Sequence, residues 1–303
     1  MKSKTHILFK TFITILVWVA ALIGGHIVGT LIIGNSIDKS IMASYEANAI
    51  LYLIVIIALL TLTRFLKLKN VPGRLKINKF CIDRYALLAI ATCFAGDIFL
   101  SIKYVMTIMD HGYLNFNNLK FSGPLALLLA VAVYASAGFT EELCCRGILL
   151  KIFLNHFEKN KNSNMKAAVI SSTIFGIIHL INLTNGLTSS NIIYTVAQII
   201  FAGMYGMFFS ALMIKTKSLW LCAIIHGTID FLGNMPDLFV PIKIMNSLPE
   251  NILSGYSIWE SIITILVLIP GFIWAIHSTH ILDKTKVEVN CETNLTGREE
   301  SRA

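Results

Sequence analysis

The chain has 303 residues, of which 55% are hydrophobic and only 14% are charged, with a mean hydropathy of +0.71. Soluble domains carry about 25% charged residues, so this composition excludes an ordinary soluble domain. The formal net charge of +8 does not indicate nucleic-acid binding, because the basic residues lie in short segments between long apolar runs rather than in one patch.

The apolar runs have the length of membrane spans. A helix needs about 20 residues to cross a hydrocarbon core of about 30 Å, and only helices satisfy their own backbone hydrogen bonds in lipid. We therefore predict an all-α, polytopic transmembrane bundle of about eight spans, at residues 11–34, 49–63, 85–109, 124–150, 167–182, 192–214, 218–233 and 258–276.

The distribution of basic residues predicts the orientation of the spans. Most of the 25 lysines and arginines fall before the first span, after the last span and in every second gap. The positive-inside rule places such segments in the cytoplasm, so we predict a multi-pass protein of the cell membrane with both termini cytoplasmic. Residues 1–282 read as one transmembrane domain. Residues 283–303 are polar and charged, which predicts a disordered cytoplasmic tail.

Several ionisable residues interrupt the predicted spans, where they cost several kcal/mol and usually mark function. Counted from the nearest predicted cytoplasmic lysine at 1.5 Å per residue, Glu141, His179, His226 and Asp230 lie about 14 to 20 Å into the membrane. Residues from three helices thus share one central layer, which indicates a common polar pocket. The full set is His26, which we interpret as structural, Asp97, Glu141, Glu142, Arg146, His179, His226 and Asp230.

Helical spacing predicts which of these side chains meet. Glu142 and Arg146 are four residues apart, so they share a helix face and can form an ion pair. Glu141 points about 100° away from Glu142 and is free to face another partner. His226 and Asp230 have the same four-residue spacing. Each pair alone is more often structural than catalytic, whereas their combination in one layer indicates a functional site.

The same residues carry a resemblance to a known family. Residues 141–146 read EELCCR and match an E-E-x-x-x-R motif, residues 175–179 read FGIIH and match F-x-x-x-H, and residues 226–230 read HGTID and match H-x-x-x-N/D. In this order on apolar segments, the motifs resemble those of the CAAX prenyl protease and bacteriocin-processing family of intramembrane proteases. The resemblance covers the motif-bearing core, residues 124–234.

The resemblance implies hydrolysis of a peptide bond in a membrane-associated protein or peptide. Eukaryotic members remove a C-terminal tripeptide from prenylated proteins, whereas bacterial relatives, which this chain looks like, are linked to peptide or bacteriocin maturation and self-immunity. By residue type, Glu141 and His179 are expected to activate water, and His226 and Asp230 to complete the site. The expected catalytic set is Glu141, Glu142, Arg146, His179, His226 and Asp230.

The sequence leaves the catalytic type open. Glu141, His179 and His226 would make a three-ligand zinc site with an open position for water. The resemblance equally supports a metal-free glutamate mechanism, in which the third motif stabilises the oxyanion. Asp230 bears on this choice because many relatives carry Asn there, which can donate a hydrogen bond. At this stage we favour assistance by Zn2+.

Two other classes of function remain as alternatives. Intramembrane carboxylates and histidines also form proton relays in transporters, although this sequence lacks the repeated halves of a typical carrier. A catalytically silent immunity or scaffold protein could retain the same fold. The sequence predicts no oligomeric state.

Overall fold

The computed structural model describes residues 2–33, 41–68, 82–245 and 247–300, and within these residues all regular structure is helical. A π-helical turn, Leu143–Leu149, joins two of the helices, and 3-10 segments occupy Phe116–Asn118, His179–Asn185 and Met235–Leu238. The predicted all-α class is confirmed. The α-helices are α1 (Lys2–Ile33), α2 (Ile41–Phe65), α3 (Arg84–Asp110), α4 (Pro124–Glu142), α5 (Leu150–His156), α6 (Ser163–Ile178), α7 (Ser189–Thr216), α8 (Leu219–Gly233), α9 (Ile242–Met245) and α10 (Glu250–Glu300).

Most of the predicted spans correspond to helices that could cross a bilayer. Within the described residues, seven segments are long and apolar enough, and they include the first six predicted spans and the last one, except for Gly34, which lies outside the described residues. The predicted span at 218–233 is α8, an apolar helix of only 15 residues. The fourth span is longer than predicted, since it continues through the π-helical turn to His156. The chain is a multi-pass membrane protein, and the cytoplasmic position of its termini stays a prediction.

The order in which the helices pack differs from their order in the chain. Neighbouring helices follow the sequence α1, α2, α4, α8, α3, α10, α7 and α6. In this arrangement α4 packs against α8, and both α6 and α8 contact the π-helical turn, so that the segments carrying the three motifs converge although they are separated along the chain.

The contact between α4 and α8 depends on two glycines. A Cβ atom on Gly138 would lie 2.5 Å from the Gly227 nitrogen and 2.9 Å from the Ala223 carbonyl oxygen. A Cβ atom on Gly227 would lie 2.8 Å from the Tyr134 carbonyl oxygen. The obstructing atoms are backbone, which cannot turn away, so glycine allows the two helices to approach closely. Gly138 precedes Glu141 by one helical turn, and Gly227 follows His226 directly.

The last helix continues beyond its membrane-spanning part. It ends at Glu300, and residues 301–303 lie outside the described part of the chain. The disordered tail over 283–303 that the composition indicates stays a prediction. Asp283 is 3% exposed and accepts hydrogen bonds from the backbone amides of Asn164 and Met165 at 2.9 and 3.0 Å. The first turn of α6 has free amides that a carboxylate can satisfy, which gives the beginning of the predicted tail a fixed partner.

We predict that Gly138→Ala lowers the stability of the protein, because the added methyl group must push α8 away from α4. Overpacking of this kind costs roughly 1–3 kcal/mol. Thermal unfolding of the detergent-solubilised protein measures the effect. Gly24→Ala in α1 is the matched control, since a Cβ atom there meets nothing within 4 Å. Equal unfolding temperatures for both variants and the wild type would show that the close approach is not required.

Candidate active site

The first motif lies where α4 changes into the π-helical turn. Glu141 and Glu142 end α4, and the seven residues of the turn, Leu143–Leu149, are all buried. The backbone hydrogen bonds of a π-helical turn join residues that are farther apart in sequence than those of an α-helix. In this turn the Cys145 carbonyl oxygen also accepts a hydrogen bond from the Ser171 hydroxyl of α6 at 2.9 Å. Such turns often occur at functional sites, where they alter the direction in which side chains project.

The predicted ion pair in the first motif is present and fully enclosed. Arg146 Nη1 lies 3.1 Å from Glu142 Oε1, and both side chains are 0% exposed. The guanidinium carbon also lies 4.5 Å from the ring centroid of Phe175 and 5.5 Å from that of Phe209. A guanidinium over aromatic faces gains cation–π attraction, which adds to the charge pairing in holding Arg146 in the membrane.

His226 connects the first motif with the third. Its Nδ1 lies 2.8 Å from Glu142 Oε1, and its ring stacks on Phe209 with a centroid distance of 5.1 Å. Because a carboxylate paired with arginine accepts hydrogen bonds, Nδ1 carries the proton and donates. Nε2 then faces the other two carboxylates, with Glu141 Oε2 at 3.6 Å and Asp230 Oδ1 at 3.8 Å.

His179, from the second motif, directly follows α6 and is the first residue of a 3-10 segment. Its Nδ1 lies 2.8 Å from the Phe175 carbonyl oxygen, and its ring meets the Phe175 ring edge-on with a centroid distance of 5.0 Å. A carbonyl oxygen can only accept, so Nδ1 donates and the neutral ring keeps a lone pair on Nε2. The four-residue spacing of the motif produces both contacts.

A cavity of about 210 Å³ joins these groups. Its lining includes Glu141, His179, His226 and Asp230 and therefore brings side chains of all three motifs to one space inside the membrane-spanning bundle. Glu142 and Arg146 are not among its lining residues. Within the first motif, Glu141 therefore faces the cavity, whereas Glu142 and Arg146 form a buried pair that does not line it.

Other polar groups on the cavity wall come from helices outside the motifs. Asp97 of α3, one of the ionisable residues within the predicted spans, lines the cavity. Sequence reasoning missed Glu260 of α10, although a carboxylate two residues inside an apolar span was a usable signal. It also missed three polar residues of α7 that carry no charge and hence no strong sequence signal: Tyr194, Gln198 and Tyr205.

The predicted zinc site stays a prediction, and the geometry of the described side chains does not favour it. Within the described residues, no three His, Cys, Asp or Glu side chains form a group that could hold a metal ion. The expected ligands Glu141, His179 and His226 therefore do not form such a group. His226 also directs Nδ1 at a carboxylate and Nε2 at two more, which makes it a hydrogen-bonding and ion-pairing residue.

The fold and the site define a multi-pass membrane protein with an acid–imidazole centre enclosed among its spans. Comparison with known families agrees with this class: residues 123–232 match the family described as type II CAAX prenyl endopeptidase Rce1-like. The match is confined to this domain, and it confirms the resemblance to the CAAX prenyl protease family drawn from the motifs. The matched domain supports a CAAX-type intramembrane endopeptidase at the level of the family. No curated protein matches the chain in a sequence comparison.

We predict that activity does not depend on a bound metal ion, because no three potential metal-binding side chains among the described residues form a group. We expect purified protein to contain well under one zinc per chain by elemental analysis. We also expect cleavage of its substrate to continue after exhaustive treatment with a chelator. A chelator-inactivated protein that recovers with stoichiometric Zn2+ would contradict this expectation.

Proposed function

We propose that the chain is an endopeptidase that hydrolyses a peptide bond of a membrane-associated protein or peptide by a metal-free, glutamate-dependent mechanism. The observation that carries this proposal is the cavity where Glu141 Oε2 lies 3.6 Å from His226 Nε2 and where His179 also forms part of the wall. The carboxylate of Glu141 as a base, the imidazoles of His179 and His226, and an enclosed space are the elements that addition of water to a carbonyl group needs.

Glu141 is the proposed general base. Its side chain is 27% exposed, so its carboxylate can meet a water molecule in the cavity. The lone pair on His179 Nε2 provides a second acceptor for that water, since Nδ1 is committed to the Phe175 carbonyl. As the water oxygen bonds to the peptide carbonyl carbon, its proton passes to Glu141.

His226 is the proposed electrophilic partner. When Nε2 is protonated, its N–H can donate to the oxygen that becomes negative as the tetrahedral intermediate forms. Glu142 accepts from Nδ1 and fixes the ring, while Asp230 and Glu141 near Nε2 stabilise an imidazolium. The carbon–nitrogen bond then breaks, the negative oxygen becomes a carbonyl oxygen again, and the proton on Glu141 moves to the leaving nitrogen, which gives a carboxylic acid and an amine.

The position of the cavity supports a substrate that enters from the bilayer. Its wall is formed by residues of membrane-spanning helices, and α8 beside it is short for a span. Maturation of a membrane-associated peptide, including a bacteriocin precursor, and self-immunity are the cellular roles that we propose from the bacterial resemblance.

We predict that Glu141→Ala and His179→Ala each reduce cleavage by at least about 100-fold, the usual contribution of a positioned general base, without preventing membrane insertion. Mass spectrometry of membrane and secreted peptides from cells expressing each protein measures this. A fragment present with the wild type and absent with Glu141→Ala would also identify the substrate.

The matched controls are Glu46→Ala in α2 and His26→Ala in α1, both exposed and outside the cavity. They should leave the fragment pattern unchanged. If the cellular phenotype of the wild type persists with Glu141→Ala and His179→Ala, the protein acts by binding and the proposed hydrolysis is wrong.

A further inference from the structure

A second cavity, remote from the motifs, lies at the end of the bundle where α1 begins and α5 ends. Its volume is about 420 Å³. The polar part of its wall consists of His6 and Lys10 from α1 and Asn155 and His156 from α5. We call this space the basic cavity. It shares no lining residue with the cavity of the candidate active site.

Among the described residues, the basic cavity is lined by nitrogen groups and by no carboxylate. Lys10 contributes an ammonium, Asn155 an amide, and His6 and His156 imidazoles, all of which can donate hydrogen bonds. In the part of the chain that the structure describes, no Asp or Glu lines it. A cluster of this kind attracts an anion that accepts several hydrogen bonds, and a phosphate group has that chemistry.

The surroundings of the cavity favour a lipid as the source of the phosphate. Leu68 and Ile152 form part of the wall, so the same space offers polar and apolar contacts. Beside Lys10, the apolar side chains of Leu8, Phe9 and Phe12 are 69%, 55% and 64% exposed. On a membrane-spanning helix such side chains face acyl chains, so an amphiphile could place its head in the cavity and its tails along α1.

The position along the membrane normal agrees with a headgroup. The wall combines the first turns of α1, the segment after α2 and the last turn of α5, which are all ends of membrane-spanning segments. These ends adjoin the basic segments that the sequence places on the cytoplasmic face, where anionic lipids are enriched. Basic pockets between helix ends on this face are known recognition sites for anionic headgroups.

We propose that the basic cavity binds the phosphate of an anionic phospholipid, with Lys10 as its principal contact. The site is separate from the proposed peptidase function and does not depend on it. A bound lipid would contact both α1 and α5, and α5 directly follows the π-helical turn that contains Arg146.

The test uses the full chain, purified and stripped of lipid, and native mass spectrometry. Phosphatidylglycerol is titrated against phosphatidylcholine with the same acyl chains, and inorganic phosphate is titrated separately. We expect the anionic lipid to bind at least about fivefold more tightly than the zwitterionic one, which corresponds to one basic side chain near the membrane surface. Lys10→Gln should remove this preference, and His156→Gln, on the exposed end of α5, should weaken it.

Lys159→Gln is the matched control, because Lys159 is exposed just beyond α5 and does not line the cavity. It should retain the lipid preference. The proposal is overturned if Lys10→Gln and Lys159→Gln reduce binding equally, since the effect would then be general surface charge. It is also overturned if inorganic phosphate displaces phosphatidylglycerol at equal concentration, since the ligand would then be a free anion.

Discussion

The candidate site depends on the interactions of the Glu142 carboxylate with Arg146 and His226. This carboxylate is fully buried and lies 3.1 Å from Arg146 Nη1 and 2.8 Å from His226 Nδ1. A charge in this environment is tolerated only when it is paired, and removing one partner of a buried pair typically costs about 3–5 kcal/mol. The same contacts fix the proton of His226 on Nδ1 and turn Nε2 towards Glu141. Stability and chemistry therefore rest on one side chain that does not itself line the cavity.

The backbone makes this interaction possible. Gly138 and Gly227 let α4 and α8 approach until their backbones touch, and they flank the residues that pair across the interface. The π-helical turn begins directly after Glu142 and contains Arg146, whose guanidinium lies over the rings of Phe175 and Phe209. Glu141, in contrast, faces the cavity. Adjacent glutamates thus have different surroundings, and this difference supports assigning them different roles.

Contacts within one helix could be predicted from the sequence, whereas contacts between helices could not. Four-residue spacing predicts contacts within one helix, and the Glu142–Arg146 and Phe175–His179 contacts follow from it. Spacing cannot predict how two helices are rotated towards each other, so the contact between His226 and Glu142 was not foreseen. Glu260 was missed because α10 carries no motif. The zinc site was favoured from residue types alone, which give no information on whether three ligands can meet around one point.

The most direct test of this account is a double-mutant cycle on Glu142→Gln and His226→Gln. The free energy of unfolding is measured in one lipid–detergent mixture for the wild type, both single variants and the double variant. If the two side chains pair inside the membrane, the double variant loses less stability than the sum of the single losses, by at least about 1 kcal/mol. Losses that add to within about 0.5 kcal/mol would show that Glu142 and His226 act independently and would contradict the account.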